Sequence, residues 1–466
     1  MRSAYGVDEI RAAEQPLLDA LPPGTLMNRA ATALAVRCAA LLGGTYGARV
    51  VLLVGNGSNG GDARLAGAQL ARRGARVDTV AVGSPRAEAE RLIAAADLVI
   101  DGMVGIGATG PLRPDAAALA EIVNNANAIV VAVDVPSGVD ASTGEVEGVA
   151  VRADVTVTFG GLKPGLLVTP GAGYAGAVDV VDIGLDLPAP TVAALDADDV
   201  AALLPRPSVD SDKYRRGVVG IVAGSEQYTG AAVLCVGGAV HAGAGMVRYA
   251  GVAAAADQVR RHWPEALVTA DPDDVLAIGR VQSWVVGSGL GTGPEATAIV
   301  TAVLGTDVPV VLDADALAVV AAQPRLVADR SARTVLTPHA GEFARLVGMD
   351  RDHVEARRLR SAQDAASKLG VTVLLKGSTT VIADPSGQTR INTAQSPYLA
   401  TAGSGDVLAG ICGTLLAAGL SALDAGAAGA FLHGLAALLA AGDPAAPVTA
   451  GEIAATLPEA VRVVSG

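Results

Sequence analysis

The chain has 466 residues, 51% of them apolar, and a formal net charge of −13. That length allows roughly two to four domains, and an acidic balance without a basic block excludes a nucleic-acid surface, which relies on clustered Lys and Arg. Aromatic residues are only 3%, so the cores have to be built from Ala, Val and Leu.

The N-terminus turns acidic at Asp8 and Glu9 before a signal-like apolar stretch forms. The Ala/Leu-rich run from Leu415 to Ala441 is interrupted by Asp424 and His433, so no transmembrane helix and no membrane partner are expected. Cys38, Cys235 and Cys412 are far apart, with neither metal spacing nor a disulfide framework. A reducing, cytoplasmic location follows from that cysteine usage.

Along the chain, short apolar runs alternate with helical patterns, the signature of an α/β fold with mostly parallel strands. In the first half the predicted strands are Val50–Val54, Val77–Val82, Leu98–Asp101, Ile129–Val133, Val155–Phe159 and Val178–Ile183. The first leads into Gly55-Asn56-Gly57-Ser58-Asn59-Gly60-Gly61-Asp62 and then a helical stretch, a turn whose free N–H groups suit an anionic ligand. Asp101-Gly102 opens a second glycine-rich loop running through Gly105, Ile106, Gly107, Ala108, Thr109 and Gly110 to Pro111. A third loop is Asp134-Val135-Pro136-Ser137-Gly138. One such loop is ordinary turn chemistry; three that follow strands and carry oxygen ligands point to a site. Lys163, in Gly160-Gly161-Leu162-Lys163-Pro164-Gly165, reads either as a neutraliser of phosphate charge or as an exposed turn lysine.

From Leu187 to Pro207 four prolines flank an Asp-rich stretch, which reads as an interdomain connection, with the boundary near residue 206. A fresh strand–Gly–helix unit begins at Gly217. Beyond it, Val285-Val286-Gly287-Ser288-Gly289-Leu290-Gly291, Val310-Val311-Leu312-Asp313-Ala314-Asp315 and Leu336-Thr337-Pro338-His339 each place polar residues or glycines after an apolar run. In an open parallel sheet those positions share the ligand-binding edge. Leu374-Leu375-Lys376-Gly377-Ser378-Thr379-Thr380-Val381-Ile382 reads as a hairpin able to hold a nucleotide. Ala402-Gly403-Ser404-Gly405-Asp406 then starts a helix. Its free N–H groups and dipole suit phosphate oxygens, and Asp406 is placed to take a proton from a hydroxyl that attacks phosphorus.

The three N-terminal loops resemble the NAD(P)H-hydrate epimerase family, and the second half resembles the NAD(P)H-hydrate dehydratases of the ribokinase-like superfamily. The order and length resemble the bifunctional bacterial enzymes that join both. The resemblance implies an N-terminal Rossmann-like three-layer αβα domain, residues 1–206, and a C-terminal ribokinase-like α/β domain, residues 207–466. It implies that the first domain interconverts the R and S hydrates of NADH and NADPH and that the second restores the S form with ADP and magnesium. By motif matching, Ser58, Asn59, Gly60, Gly61, Asp62, Gly105 to Pro111 and Asp134 contact the hydrate in the epimerase, with potassium on Asn59, Asp101 and Ser137. In the dehydratase, Ala231, Gly291, His339 and Asp406 line the hydrated dinucleotide. Lys376, Gly377, Ser378, Thr379, Thr380 and Gly405 match the adenine-nucleotide site, and Asp406 is the catalytic residue. Asp313 and Asp315 are secondary candidates, and a homo-oligomer is expected. Ser58 stands where the family usually has Asn and Ala63 where it has Gly, and Arg64 is unusual for a first helical turn. Two rivals share these features: a ribokinase-like vitamin kinase with an accessory N-terminal domain, and a non-enzymatic binding module.

Overall fold

The structure is a computed structural model that describes residues 1–206, 208–271, 275–394 and 396–466. The chain divides into two compact units, Arg2–Ala193 and Ala194–Gly466.

In the first unit, strands Arg76–Ala81, Arg49–Val54, Leu98–Gly102, Ile129–Val133, Val155–Phe159 and Ala177–Val181 lie side by side in that order, every pair parallel. Alternate strand residues bury opposite faces, as the pleat requires. Val50, Leu52, Val54 and Ile100 pack with Ala30 and Leu34 of helix Thr25–Leu41 and with Ala63 and Leu70 of helix Ser58–Arg72. Val51, Leu53 and Val99 face Ile93 of helix Arg86–Ala94 and Leu119 of helix Pro114–Asn124 on the other side. This is the three-layer αβα arrangement. The strand order reverses at Arg49–Val54, so the loops after this strand and after Leu98–Gly102 flank the topological switch point, where α/β sheets bind ligands.

The sheet of the second unit runs in the order Thr389–Asn392, Thr380–Ala383, Thr372–Leu375, Thr334–Leu336, Val310–Leu312, Ser283–Val286, Val218–Val222, Met246–Ala250, Leu267–Thr269. These strands pair in parallel except for the antiparallel pairs made by the hairpin strands Thr380–Ala383 and Thr389–Asn392. Helices Thr229–His241, Ser404–Ala417, Ala422–Ala441 and Ala450–Ser465 build one apolar layer over Val219, Ile221, Val285, Val311 and Val335. The core is Ala-, Val- and Leu-rich, as the low aromatic content requires.

Two segments differ from the sequence reading. The run Leu415–Ala441 contains one helix, Ala422–Ala441, long and apolar enough on composition to cross a membrane. It is 67% buried, with Leu423, Ala428, Leu432 and Ala436 in the core, so protein rather than lipid covers most of it. The Asp-rich part of the expected connection forms helix Ala197–Leu203. A capping box between Asp196 and Asp199 starts it, and Val200 is buried in the second core. Pro207 lies outside the described residues.

Candidate active sites

At the switch point of the first unit, helix Ser58–Arg72 starts on the glycine-rich turn with Asn59, Gly60 and Asp62 buried and Ser58 exposed. Asn59 Nδ2 donates to the Val133 carbonyl at 2.7 Å and to that of Val104 at 3.4 Å. A Cβ on Gly105 would lie 2.2 Å from Asn59 Oδ1, so only glycine admits that amide. Ser137 donates to Asp101 through N at 2.8 Å and through Oγ at 2.7 Å, and its Oγ accepts from Val104 N at 3.0 Å. Asn59, Asp101 and Ser137 therefore meet around Val104. Burial raises the Asp101 carboxyl to about 6, against the hydrogen bonds from Ser137 and Met103. A wholly buried carboxyl among amide, hydroxyl and carbonyl oxygens is a fit for a hard monovalent cation.

Gly105, Gly107, Ala108, Thr109, Gly110 and Pro111 line a cavity of about 540 Å³ together with Asn56, Arg113 and Asp140. Ile106 and the Ser58–Asp62 turn are not part of its wall. Of the departures from the family pattern, Ala63 is accommodated by Gly102, whose own Cβ would lie 2.7 Å from that of Ala63. Arg64 folds back over the turn, its Nη1 3.5 Å from the Gly55 carbonyl.

Both readings of Lys163 are corrected by its burial. It is fully covered and ion-paired with Asp134 Oδ1 at 2.5 Å. Asp134 is buried too, with φ 68. Asp62 Oδ1 is buried with no hydrogen-bond partner among the described residues, and burial, then the charges of Asp134 and Glu14, push its carboxyl up to about 7.

In the second unit, Gly403 at φ +86 turns the chain into helix Ser404–Ala417, with Asp406 in its first turn. A cavity of about 910 Å³ opens there, walled by Asp313, His339, Glu342, Lys376, Gly377, Ser378, Thr380, Gly405 and Asp406 among others. Thr379 is buried behind this wall. Lys376 Nζ pairs with Asp313 at 2.8 Å and lies 3.9 Å from Glu342. Burial alone would lower its pKa, but Asp313, Glu342 and Asp406 outweigh that and raise it. Asp313 also accepts from Thr337 Oγ1 at 2.8 Å and Ser288 Oγ at 3.3 Å. Burial, then Asp313, push the Asp406 carboxyl up to about 7, while Ser288 and Lys376 hold it back. The result is a carboxyl poised near neutrality at a helix N-terminus, beside an ammonium: the furniture of phosphoryl transfer to a hydroxyl. Among the described residues no group of three or more His, Cys, Asp or Glu is placed to hold a metal ion; a magnesium ion here would ride on the nucleotide phosphates, keeping most of its waters and taking few protein ligands.

Ala231 and Gly291 lie outside that wall. Ala231 opens helix Thr229–His241 beside Gly289, and Gly291 N donates to Asp315 at 2.8 Å. His339 caps helix Ala340–Val347: its Nδ1 accepts from Gly341 N at 3.0 Å and Glu342 N at 3.2 Å. That bonding places the ring proton on Nε2, 3.3 Å from Glu342 Oε1.

Two residues escaped the sequence reading. Arg358 is buried beneath the Lys376 loop, donating to the carbonyls of Thr379 at 3.1 Å, Lys376 at 2.6 Å and Leu375 at 3.4 Å. His433, in helix Ala422–Ala441, forms part of the cavity wall with Nε2 unpartnered, and burial, then Lys376, lower it to about 4. Neither sits in a local motif that could have signalled it.

The NAD(P)H-hydrate dehydratase family matches residues 219–459, and the YjeF-related N-terminal family matches 23–92 and 81–165. A bifunctional NAD(P)H-hydrate repair enzyme of Mycobacterium leprae is 50% identical over 462 residues, covering 95% of each chain. The chain belongs to the bifunctional NAD(P)H-hydrate repair enzyme family. Its counterpart in Thermofilum pendens is 35% identical, over 89% of this chain and 87% of that one. A solved Bacillus subtilis ADP/ATP-dependent NAD(P)H-hydrate dehydratase, co-crystallised with ATP and Mg²⁺, is 29% identical. It covers 59% of this chain and 99% of its own with a TM-score of 0.55.

Proposed function

We propose that the first unit interconverts R and S hydrates of NADH and NADPH and that the second dehydrates the S form with ADP as phosphoryl donor. The observation that carries the dehydration is Asp406, near neutrality at the start of helix Ser404–Ala417 and opposite Lys376 in one cavity. Water is a poor leaving group. Asp406 takes the proton from the ring hydroxyl as that oxygen attacks the terminal phosphorus. The N–H groups around Gly403 to Gly405 and the Lys376 ammonium stabilise the transferring phosphoryl group. Phosphate then leaves, and the ring nitrogen's electrons help restore the double bond. Lys376, Gly377, Ser378, Thr379, Thr380 and Gly405 form the nucleotide side. His339 and Asp406, in the cavity wall, face the hydrated dinucleotide, and Ala231 and Gly291, outside that wall, are assigned to the rest of the same ligand. Magnesium, bound with the nucleotide, supplies charge neutralisation at the phosphates.

On the first unit, Ser58 to Asp62, Gly105 to Pro111 and Asp134 contact the hydrate. Asn59, Asp101 and Ser137 would hold a potassium ion, whose charge would tie together the loops that carry those contacts. The same reading includes a cytoplasmic location, consistent with the free, buried cysteines Cys38, Cys235 and Cys412, and a homo-oligomer, which sedimentation checks. Epimerisation is assigned to the first unit and dehydration to the second, so the division falls ahead of helix Ala197–Leu203, which packs in the second core, rather than near residue 206.

The test is product analysis. Purified protein given S hydrate, ADP and magnesium is expected to release inorganic phosphate and AMP while reduced-nicotinamide absorbance returns. A stable phosphorylated product without that absorbance would instead identify a small-molecule kinase. Asp101→Ala is expected to depress epimerisation and abolish its potassium dependence, with S-hydrate dehydration unchanged. Unaltered potassium response in that variant would remove Asp101 from the ion site.

A further inference from the structure

The Lys163 ammonium donates to Asp134 Oδ1 at 2.5 Å, to Thr158 Oγ1 at 2.9 Å and to the Phe159 carbonyl at 2.8 Å, so all three of its protons are used. Asp134 Oδ1 accepts in addition from Thr158 Oγ1 at 2.8 Å and Phe159 N at 3.3 Å. Three donors converge on one oxygen, and none of the hydrogen bonds among the described residues falls on Oδ2. The backbone of Asp134 is held at φ 68, a conformation that a non-glycine residue keeps only when its surroundings enforce it. Beside this pair stands Asp62, whose Oδ1 is buried and unpartnered. Glu14 and Arg11, from helix Val7–Ala20, face the same cluster.

A buried lysine whose every bond goes to fixing one oxygen of a carboxylate does not touch the reacting atoms; it decides which oxygen of that carboxylate is free. We propose that Lys163 is a positioning residue for epimerisation, pinning Asp134 through Oδ1 so that Oδ2 acts as base, while Asp62 acts as the acid. The proposal rests on the epimerase reading of the first unit.

The chemistry balances. Hydration of an enamine places the hydroxyl on the carbon bonded to the ring nitrogen. Asp62 gives its proton to that hydroxyl, the C–O bond breaks, water leaves, and the nitrogen's electron pair forms a C=N bond, which makes the carbon planar. Water then adds to the opposite face, a C–O bond forms and the electron pair returns to nitrogen. The surplus proton of the added water, strongly acidic at that stage, goes to Asp134 Oδ2. Exchange with solvent resets both carboxyls. Burial and the neighbouring Asp134 and Glu14 keep Asp62 able to hold its proton up to about pH 7. Two carboxyls in unlike surroundings thus take unlike roles.

The full chain carries its own control, because dehydration of pure S hydrate reports on the other unit. In Lys163→Met the epimerisation kcat is expected to fall by about 10²-fold or more, with KM for the hydrate within about threefold, the split expected when a transition-state interaction is lost. Asp62→Asn is expected to lower kcat by about 10²–10⁴-fold and to abolish the decline in rate above about pH 7. Thr158→Val removes one donor to Oδ1 without burying an unpaired charge. It is expected to lower kcat by a smaller factor, on the order of tenfold. Should Lys163→Met fail to fold, Thr158→Val and Asp62→Asn decide the matter. Normal kcat in Thr158→Val would overturn the positioning role, and an unchanged rate and pH profile in Asp62→Asn would overturn the acid.

Discussion

As the proposed base, Asp406 would have to be deprotonated to act, yet its surroundings oppose the charge. Its folded-state pKa of about 7 lies above the ordinary value of 3.8, so between those limits the native protein holds a proton that the unfolded chain has released. Stability therefore falls as pH rises through that window and stays reduced above it. Asp406→Asn is expected to raise the melting temperature of the ligand-free protein more at pH 8 than at pH 5. The same change is expected to lower dehydration by at least about 10²-fold, with nucleotide binding kept by Lys376 and the backbone near Gly405. A variant equally stabilised at both values would show that the carboxyl does not titrate there. The place of Asp406 in the first turn of helix Ser404–Ala417 was legible in sequence because its signal is local: small residues, a carboxylate and a helix in one run. Lys163, Arg358 and His433 were not, since what buries or confronts them comes from residues far along the chain. Lys163 read as a turn residue because only the fold reveals the Asp134 side chain that receives it.

Among the elements, the hairpin Thr372–Leu375 to Thr380–Ala383 and the helix starting at Ser404 were legible from period and punctuation. The loop between the hairpin strands takes its shape from beneath. The Arg358 guanidinium holds the Lys376 and Thr379 carbonyls of the loop and that of Leu375 at the end of the strand before it, and a Cβ on Gly377 would lie 2.0 Å from Arg358 Nη2. Arg358→Met removes the guanidinium's bonds to those carbonyls, at about 1–3 kcal/mol for each one left unsatisfied where water cannot reach it. The expected outcome is a clear drop in melting temperature and a rise of about tenfold or more in KM for ADP, with kcat less affected. An unchanged KM would mean the loop holds itself. Gly377→Ala should give the same KM effect by pushing the loop off its support. Helix Ala197–Leu203 was hidden for a different reason: proline on both sides and consecutive aspartates read as a linker, whereas two of those aspartates are capping groups.

For the whole molecule, two proposed activities fall to two compact units, Arg2–Ala193 and Ala194–Gly466. A fragment starting at Ala194 keeps Val200 in its core; one starting at Val209 loses it. The shorter fragment is expected to melt at a lower temperature, since it forfeits the burial of Val200, worth about 1.5–3 kcal/mol. The alternation of strands and helices, and the glycine-rich loops at one sheet edge, made both α/β units legible from sequence. How the cavities are walled was not, because each wall gathers side chains from several strand ends.

The most direct measurement follows reduced-nicotinamide absorbance after adding ADP and magnesium to mixed R and S hydrates, with the intact chain compared against the Ala194–Gly466 fragment. The intact chain is expected to recover the full absorbance in one rapid course. The fragment is expected to recover the S share rapidly and the R share only at the slow unaided rate of epimerisation. Equal, complete and rapid recovery by the fragment would contradict the assignment of epimerisation to the first unit.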